Sequence, residues 1–328
     1  MTVYESCEWI ENGIDFDVGS RGSNILMCCY ISCPGGGNII LKKDYNGEEI
    51  NWDEFWKLKN SYRDIQKSGK TIDNCRECVF LTKKDWSEEN HIKSVIFDYF
   101  TACNCDCYYC YTHEDKKKYN SLKPYNVLNI VKDMYNKGIL QTGGQIGFGG
   151  GEPTILKEFD PLLKFLLDKG FDNINVPTSG IRYSPILERG IKEGRARVLC
   201  SIDSGCRETY KKIKNTDAFD KVVKNLQKYA KYKKNYDGVN CKYIICPGYN
   251  DNIEEAGKFL DLCKSKGIDA ITVAVESIWM QEHRYDEDNT AILNIIDFLY
   301  KNGKQMFKMC IAENFALQFL KASNSDLI

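Results

Sequence analysis

A chain of 328 residues is longer than a minimal domain and suits one large domain with a small one beside it. Apolar residues make up 43% and charged residues 28%, which allows a substantial core and a soluble surface. Lys and Arg number 45 against 46 Asp and Glu, so the net charge of −1 leaves no basic footprint for nucleic acid or an anionic membrane.

The Lys-rich stretches at 116–118 and 228–234 read as solvated faces. No stretch approaches the ~20 apolar residues of a membrane helix. The opening MTVYESCEWI lacks the basic region and hydrophobic core of a secretory signal. The expectation is a cytoplasmic chain in a reducing compartment, where disulfides are rare. Its 16 cysteines then need another role, and with only three His (His91, His113 and His283) a metal site must be built mainly from thiolates. Soft thiolates favour iron–sulfur clusters or zinc.

Residues 1–90 read as a small α+β module. IDFDV and NIILKK are strand-like and flank a turn-forming stretch at Pro34, Gly35, Gly36 and Gly37. A helix is predicted over 51–67, with Trp52, Phe55, Trp56 and Tyr62 on its apolar face. Cys28, Cys29 and Cys33 precede the glycine turn, and Cys75 and Cys78 form a C-x2-C pair after the helix. Two separated groups brought together by one module have the logic of a metal site.

From about residue 91 to 328, strand-like and helix-like segments alternate. The strands are predicted at 94–100, 145–149, 171–178, 197–203, 240–246 and 270–276, mostly as apolar runs suited to parallel strands covered on both faces. Between them, apolar stripes such as Val127, Ile130, Val131 and Met134, or Phe219, Val222, Val223 and Leu226, mark helices. Asp251 with Glu254 reads as a capping box, and Ile292, Ile295, Ile296 and Leu299 mark a last helix before Gly303. Six βα units imply an α/β fold with right-handed crossovers.

Directly after the first of these strands comes TACNCDCYYCY, which spaces Cys103, Cys107 and Cys110 as C-x3-C-x2-C with Tyr109 before the last. Three thiolates can hold three irons of a four-iron cube and leave the fourth iron open to a ligand, whereas electron carriers usually use four. The alternative is zinc with Cys105 as a fourth ligand. All four cysteines share one loop with no distant second pair, unlike zinc ribbons and fingers.

The loop resembles the signature of the radical S-adenosylmethionine superfamily, and further matches span about 94–280. Gly150, Gly151, Glu152 and Pro153 resemble the family's GGE element, which implies binding of the methionine amino group by backbone and carboxylate. At the next strand end Thr178 and Ser179 offer hydroxyls. Ser201 and Asp203 resemble the polar pair directed at the ribose or methionine carboxylate, and CPGYND at 246–251 resembles a loop bordering the adenine. Tyr109 is implied as a further cofactor contact.

The resemblance implies a partial (β/α)6 barrel with its site at the carboxyl ends of the strands. It also implies one 4Fe–4S cluster and S-adenosylmethionine, cleaved reductively to a 5′-deoxyadenosyl radical that attacks a C–H position. The stretch from Trp52 through CRECVFL resembles SPASM/twitch modules, which normally follow the barrel and here precede it. That likeness implies a second, auxiliary 4Fe–4S cluster on Cys29, Cys33, Cys75 and Cys78, with Cys28 as the alternative first ligand and zinc or no metal as the other readings.

The implied substrate is a peptide or a small metabolite such as a sugar or nucleotide-sugar, and the implied reductant is a flavodoxin or ferredoxin. Cys206 and Cys310 are the candidate pocket thiols for hydrogen-atom donation in an epimerase, whereas Cys200, Cys241 and Cys263 read as core residues. The rival readings are an activating enzyme for a glycyl-radical partner and a non-enzymatic iron–sulfur electron carrier.

Overall fold

Apolar runs become strands here wherever both faces can be covered, and the stripes between them become helices. The computed structural model describes residues 3–19, 22–27, 39–76, 78, 80–86, 89–110, 125–232, 237–277, 279 and 290–311. The chain divides into two units, one of residues 1–102 and 114–174, the other of residues 103–113 and 175–328. The expected α/β class with a largely parallel sheet is the architecture found.

The first unit holds β1 (Val3–Ser6), β2 (Gly13–Gly19), β3 (Gly22–Leu26), β4 (Ile40–Lys42), β5 (Thr82–Asp85), β6 (Ser94–Asp98) and β7 (Ile146–Phe148). Its helices are α1 (Glu8–Asn12), α2 (Trp52–Lys67), α3 (Val127–Asn136) and α4 (Phe159–Asp168). The strands run in the order β7-β6-β2-β3-β4, while β1 and β5 form a separate antiparallel pair. β6 pairs in parallel with both β7 and β2; β3 and β4 extend the order antiparallel.

The pairing of Gly13–Asp17 with Ser94–Asp98 means that strands from the first 90 residues share a sheet with the segment beyond residue 90. The sequence boundary at residue 90 is therefore not where the strands divide. An alternating stretch such as IDFDV suits a local hairpin and a place beside an apolar strand equally well, and only the partner decides.

The second unit holds β8 (Ile174–Thr178), β9 (Ala196–Ser201), β10 (Val239–Ile245), β11 (Ala270–Val275) and β12 (Lys308–Ile311) in that spatial order. β9 through β12 are mutually parallel. Helices α5 (Pro185–Glu193), α6 (Arg207–Lys214), α7 (Phe219–Tyr229), α8 (Ile253–Lys266) and α9 (Thr290–Gly303) connect or follow them. Cys200 and Cys241, opposite one another on β9 and β10, are buried as core residues, and so is Cys263 on α8. The cap of α8 falls one residue later than expected: the Asn252 side chain accepts from the Glu255 N–H at 3.0 Å. Among the described residues, no helix is long and apolar enough to cross a membrane.

The predicted helix over 51–67 is α2, capped by the Asn51 side chain, with Trp52, Phe55 and Trp56 buried. It also buries two cations against α1. Lys59 donates to the carbonyls of Trp9 and Gly13, each at 2.8 Å. Arg63 pairs with Glu11 at 3.2 Å, with both side chains almost wholly enclosed. Glu11 in turn accepts from the hydroxyls of Tyr4 and Ser6. Removing one partner of such a pair strands a charge in a low-dielectric interior. Arg63→Met should therefore lower the stability of the first unit by ~3–5 kcal/mol, read as a drop in the urea midpoint at unchanged slope. A loss below ~1 kcal/mol would show that Glu11 finds another partner.

Candidate active site

Cys103, Cys107 and Cys110 lie on the loop that follows β6 in the chain, and all three are partly exposed, whereas Cys105 between them is buried. Hydrogen bonding with the Cys103 and Cys107 sulfurs, then burial, pushes the Cys105 thiol well above its ordinary pKa. Cys105 thus differs from its three loop neighbours in burial.

The loop backbone is fixed by α6. The Asp106 N–H donates to the Lys214 carbonyl at 3.1 Å and the Tyr108 N–H to the Ile213 carbonyl at 3.2 Å. These are the carbonyls at the last turn of α6, which have no partner inside the helix. Asn215, in the left-handed conformation past the helix end, donates to Asp106 at 3.2 Å. The Cys110 N–H closes a turn onto the Cys107 carbonyl at 3.1 Å, and Asn104 accepts from the Ser179 hydroxyl at 2.9 Å.

Beneath the loop, Tyr109 reaches into a cluster of Ile213, Ile244, Cys246 and Ala274. Its hydroxyl donates to Asp203 Oδ2 at 2.5 Å and accepts from Lys214 Nζ at 2.6 Å. Lys214 also forms an ion pair with Asp203, and both side chains are enclosed by protein. Burial alone would lower the Lys214 pKa; Asp203, then Cys107, outweigh it and hold the ammonium above its usual value. The other Asp203 oxygen accepts from the Ile244 N–H at 3.0 Å.

The backbone of Asp203 sits at φ +57°, a left-handed conformation that a non-glycine residue adopts only when its surroundings hold it there. Asn250, fully buried, donates to the Asp203 and Ile244 carbonyls at 2.7 and 2.8 Å and accepts from the Cys246 N–H at 2.6 Å. The CPGYND loop is thereby welded to the end of β9. Its Tyr249 stacks on Tyr108 at 4.5 Å.

The remaining sequence candidates fall as follows. Thr178 accepts from the Gly180 N–H at 3.1 Å, and Ser201 is partly exposed at the end of β9. Cys206 lies among helix side chains, 3.4 Å from Thr209 and 3.7 Å from the Glu255 carboxylate. Cys310 is exposed on β12. Cys75 and Cys78 belong to the first unit and are described below, whereas Cys28, Cys29 and Cys33 lie outside the described residues.

Within the first unit, the Gly151 N–H donates to the Phe100 carbonyl at 2.9 Å and the Glu152 N–H to the Ala102 carbonyl at 2.8 Å. The glycines permit this approach: a Cβ on Gly150 would stand 2.3 Å from the Phe100 carbonyl oxygen, and one on Gly151 2.1 Å from that of Ala102. The buried Glu152 carboxylate accepts from the Thr154 N–H at 3.1 Å, capping the short 3-10 turn that opens at Pro153. The GGEP segment thus grips the chain just ahead of Cys103.

Lys214 carries no signal in the sequence, whereas Asn250 lies within the CPGYND segment without being marked as its buried lock. Lys214 closes a Lys-rich amphipathic helix and resembles its solvated neighbours there; its burial is decided by Asp203. Asp15, Asp17 and Asp98 were also missed. Asp15 and Asp17 alternate along β2, Asp98 stands beside Asp17, and all three are buried. Burial, then Asp98 and Asp17, raises the Asp15 pKa well above the carboxylate range.

Comparison with known proteins adds four findings. Residues 98–263, half of the chain, match the family model described as the Radical SAM superfamily. A "Probable GTP 3′,8-cyclase" of Saccharolobus solfataricus is 25% identical over 170 residues, 52% of each chain, so this chain spans about half the length of that relative. The "Molybdenum cofactor biosynthesis protein moc-5" of Caenorhabditis elegans is 27% identical over 207 residues, 61% of this chain and 33% of that one. Among solved structures, Streptococcus suis SuiB bound to precursor peptide SuiA aligns with a TM-score of 0.54 at 12% identity, covering 86% of this chain and 57% of that one, a likeness of fold alone.

If Lys214 and Asp203 hold the cysteine loop, Lys214→Met should leave metal-free protein folded by circular dichroism. Alkylation of Cys107 and Cys110 should quicken by about tenfold or more as the loop opens locally. Lys214→Arg should restore most of the protection, and an unchanged rate in Lys214→Met would remove Lys214 from this role.

Proposed function

This chain belongs to the radical SAM superfamily, and we propose that it modifies a C–H position of a peptide or small metabolite after reductive cleavage of S-adenosylmethionine. The family's 4Fe–4S cluster and S-adenosylmethionine together supply a 5′-deoxyadenosyl radical. The chain's own residues bind, orient and shield those cofactors.

The donor set fits the cluster: Cys103, Cys107 and Cys110 are the partly exposed thiols of the loop, and Cys105 is withdrawn from them by burial. Three ligands leave one iron for S-adenosylmethionine. Tyr109 holds the loop down through Asp203 and Lys214, and a preset loop costs less ordering when the cluster is assembled. Asp203, whose two oxygens meet Tyr109 and the Ile244 N–H, is the proposed anchor of the loop beside the cofactor, where it also stays a candidate contact to the ribose or the methionine carboxylate. Thr178, Ser179 and Ser201, at strand ends, are the hydroxyls proposed to meet the cofactor. Gly150, Gly151, Glu152 and Pro153 are assigned to the methionine amino group, for which a buried carboxylate is the fitting charge.

A flavodoxin or ferredoxin is the proposed reductant. A second metal group, on Cys75 and Cys78 with Cys29 and Cys33 or Cys28, is the proposed auxiliary centre. Similarity to relatives named as probable GTP 3′,8-cyclases supports a purine nucleotide as one such small metabolite. The observation that carries the reading is the anchored three-thiol loop.

Anaerobically reconstituted protein given dithionite and S-adenosylmethionine should release 5′-deoxyadenosine. A Cys103→Ala, Cys107→Ala, Cys110→Ala variant should release none and hold about four fewer irons. Loaded protein that neither binds nor cleaves S-adenosylmethionine would return the chain to the electron-carrier reading.

A further inference from the structure

Cys7 belongs to no spacing pattern in the sequence, yet the fold buries it in one apolar cluster with Cys75, the first of the C-x2-C pair. β1 and β5 pair antiparallel from Val3 opposite Asp85 to Ser6 opposite Thr82, and Cys7 follows β1 in the chain as Leu81 precedes β5. Leu81 is itself the end of a series of turns. Its N–H donates to the Cys78 carbonyl at 3.3 Å, the Cys78 N–H to the Cys75 carbonyl at 3.0 Å, and the Cys75 N–H to the Ile72 carbonyl at 2.8 Å. An i to i+3 turn keeps its end residues within ~7 Å, close enough to serve one metal centre.

Packing brings the same residues together. Cys7 and Cys75 are buried in one apolar cluster with Ile10, Met27, Ile39 and Ile72, and Leu81 lies against it. Cys78 is partly exposed beside them in sequence. The Cys7 sulfur caps α1 and accepts from the Ile10 N–H at 3.5 Å, so it already acts as an electron donor. The platform is stiff, because Lys59 and Arg63 of α2 bind the backbone and carboxylate of α1 from within.

We infer that Cys7 is a thiolate ligand of an N-terminal metal site that it shares with Cys75 and Cys78. The site takes a thiophilic centre, either the iron of an iron–sulfur cluster or zinc. The inference rests on the auxiliary-metal reading above and adds a ligand that sequence spacing did not reveal. Among the described residues no three His, Cys, Asp or Glu side chains are gathered at coordinating distance, so metal content is the deciding measurement.

The test uses the full chain carrying Cys103→Ala, Cys107→Ala and Cys110→Ala, which removes the first cluster. Iron, sulfide and zinc are counted after anaerobic reconstitution with iron and sulfide, and separately with zinc. The expected result is about four irons or one zinc per chain. That metal should be lost when Cys7→Ser is added and kept when Cys263→Ala is added as a control for loss of a buried thiol. Full retention with Cys7→Ser overturns the role of Cys7 while leaving the auxiliary centre in place. No metal in the three-alanine chain overturns both, and neither outcome touches the 5′-deoxyadenosine result.

Should Cys7→Ser fail to fold, the three-alanine chain is alkylated with and without a chelator and its peptides are weighed. Cys7, Cys75 and Cys78 should become reactive together when the metal is withdrawn. A Cys7 rate indifferent to the metal rejects the assignment.

Discussion

A lysine ammonium and an aspartate carboxylate, both taken out of water beneath the cysteine loop, are the constraint on which the site depends. Two buried charges are costly unless each is paired and the remaining lone pairs are met. Asp203 satisfies this with three partners: Lys214, the Tyr109 hydroxyl and the Ile244 N–H. Because those partners come from α6, the cysteine loop and β10, the pair cannot form without drawing all three together. Lys214 then serves twice, since its ammonium anchors Tyr109 while its carbonyl receives the Asp106 N–H. The strained backbone of Asp203 is tolerated for the same reason, being held by Asn250 and by β10.

The GGEP segment applies a different physical device to the chain entering that loop. No charge is involved: the glycines let one backbone lie against another closely enough for direct hydrogen bonds, which a side chain would forbid. The two devices are complementary in mechanism. The glycines set the path of residues 100–102, and the ion pair sets the conformation of residues 105–109.

Cysteine is used here in three ways, and burial with partners separates them. Cys200, Cys241 and Cys263 are core residues filling strands and a helix. Cys103, Cys107 and Cys110 keep part of their surface on an anchored loop. Cys7 and Cys75 are buried, but beside a turn and a helix cap rather than in a strand interior. Composition alone, with its many cysteines and few histidines, pointed to thiolate chemistry without sorting one use from another.

The central strands and helices were legible because apolar runs and stripes report burial directly, and these elements are buried on the faces the pattern shows. The spacing of Cys103, Cys107 and Cys110 and the Gly150–Gly151 pair were legible because ligand count and backbone approach are local properties of consecutive residues. Three things needed the tertiary structure. Asp203 gained partners that spacing does not name, a lysine eleven residues on and a tyrosine on another loop, because which groups a buried carboxylate meets is set by the fold. IDFDV became a partner of β6 because an alternating strand does not name its neighbour. Cys7 came to share a buried apolar cluster with Cys75, a residue far from it in the chain. Sequence by itself determined the chemistry on offer, because that resides in residue type and short spacing; only the fold decided which groups use that chemistry on one another and which remain for a ligand, because pairing across the chain is set by burial and register.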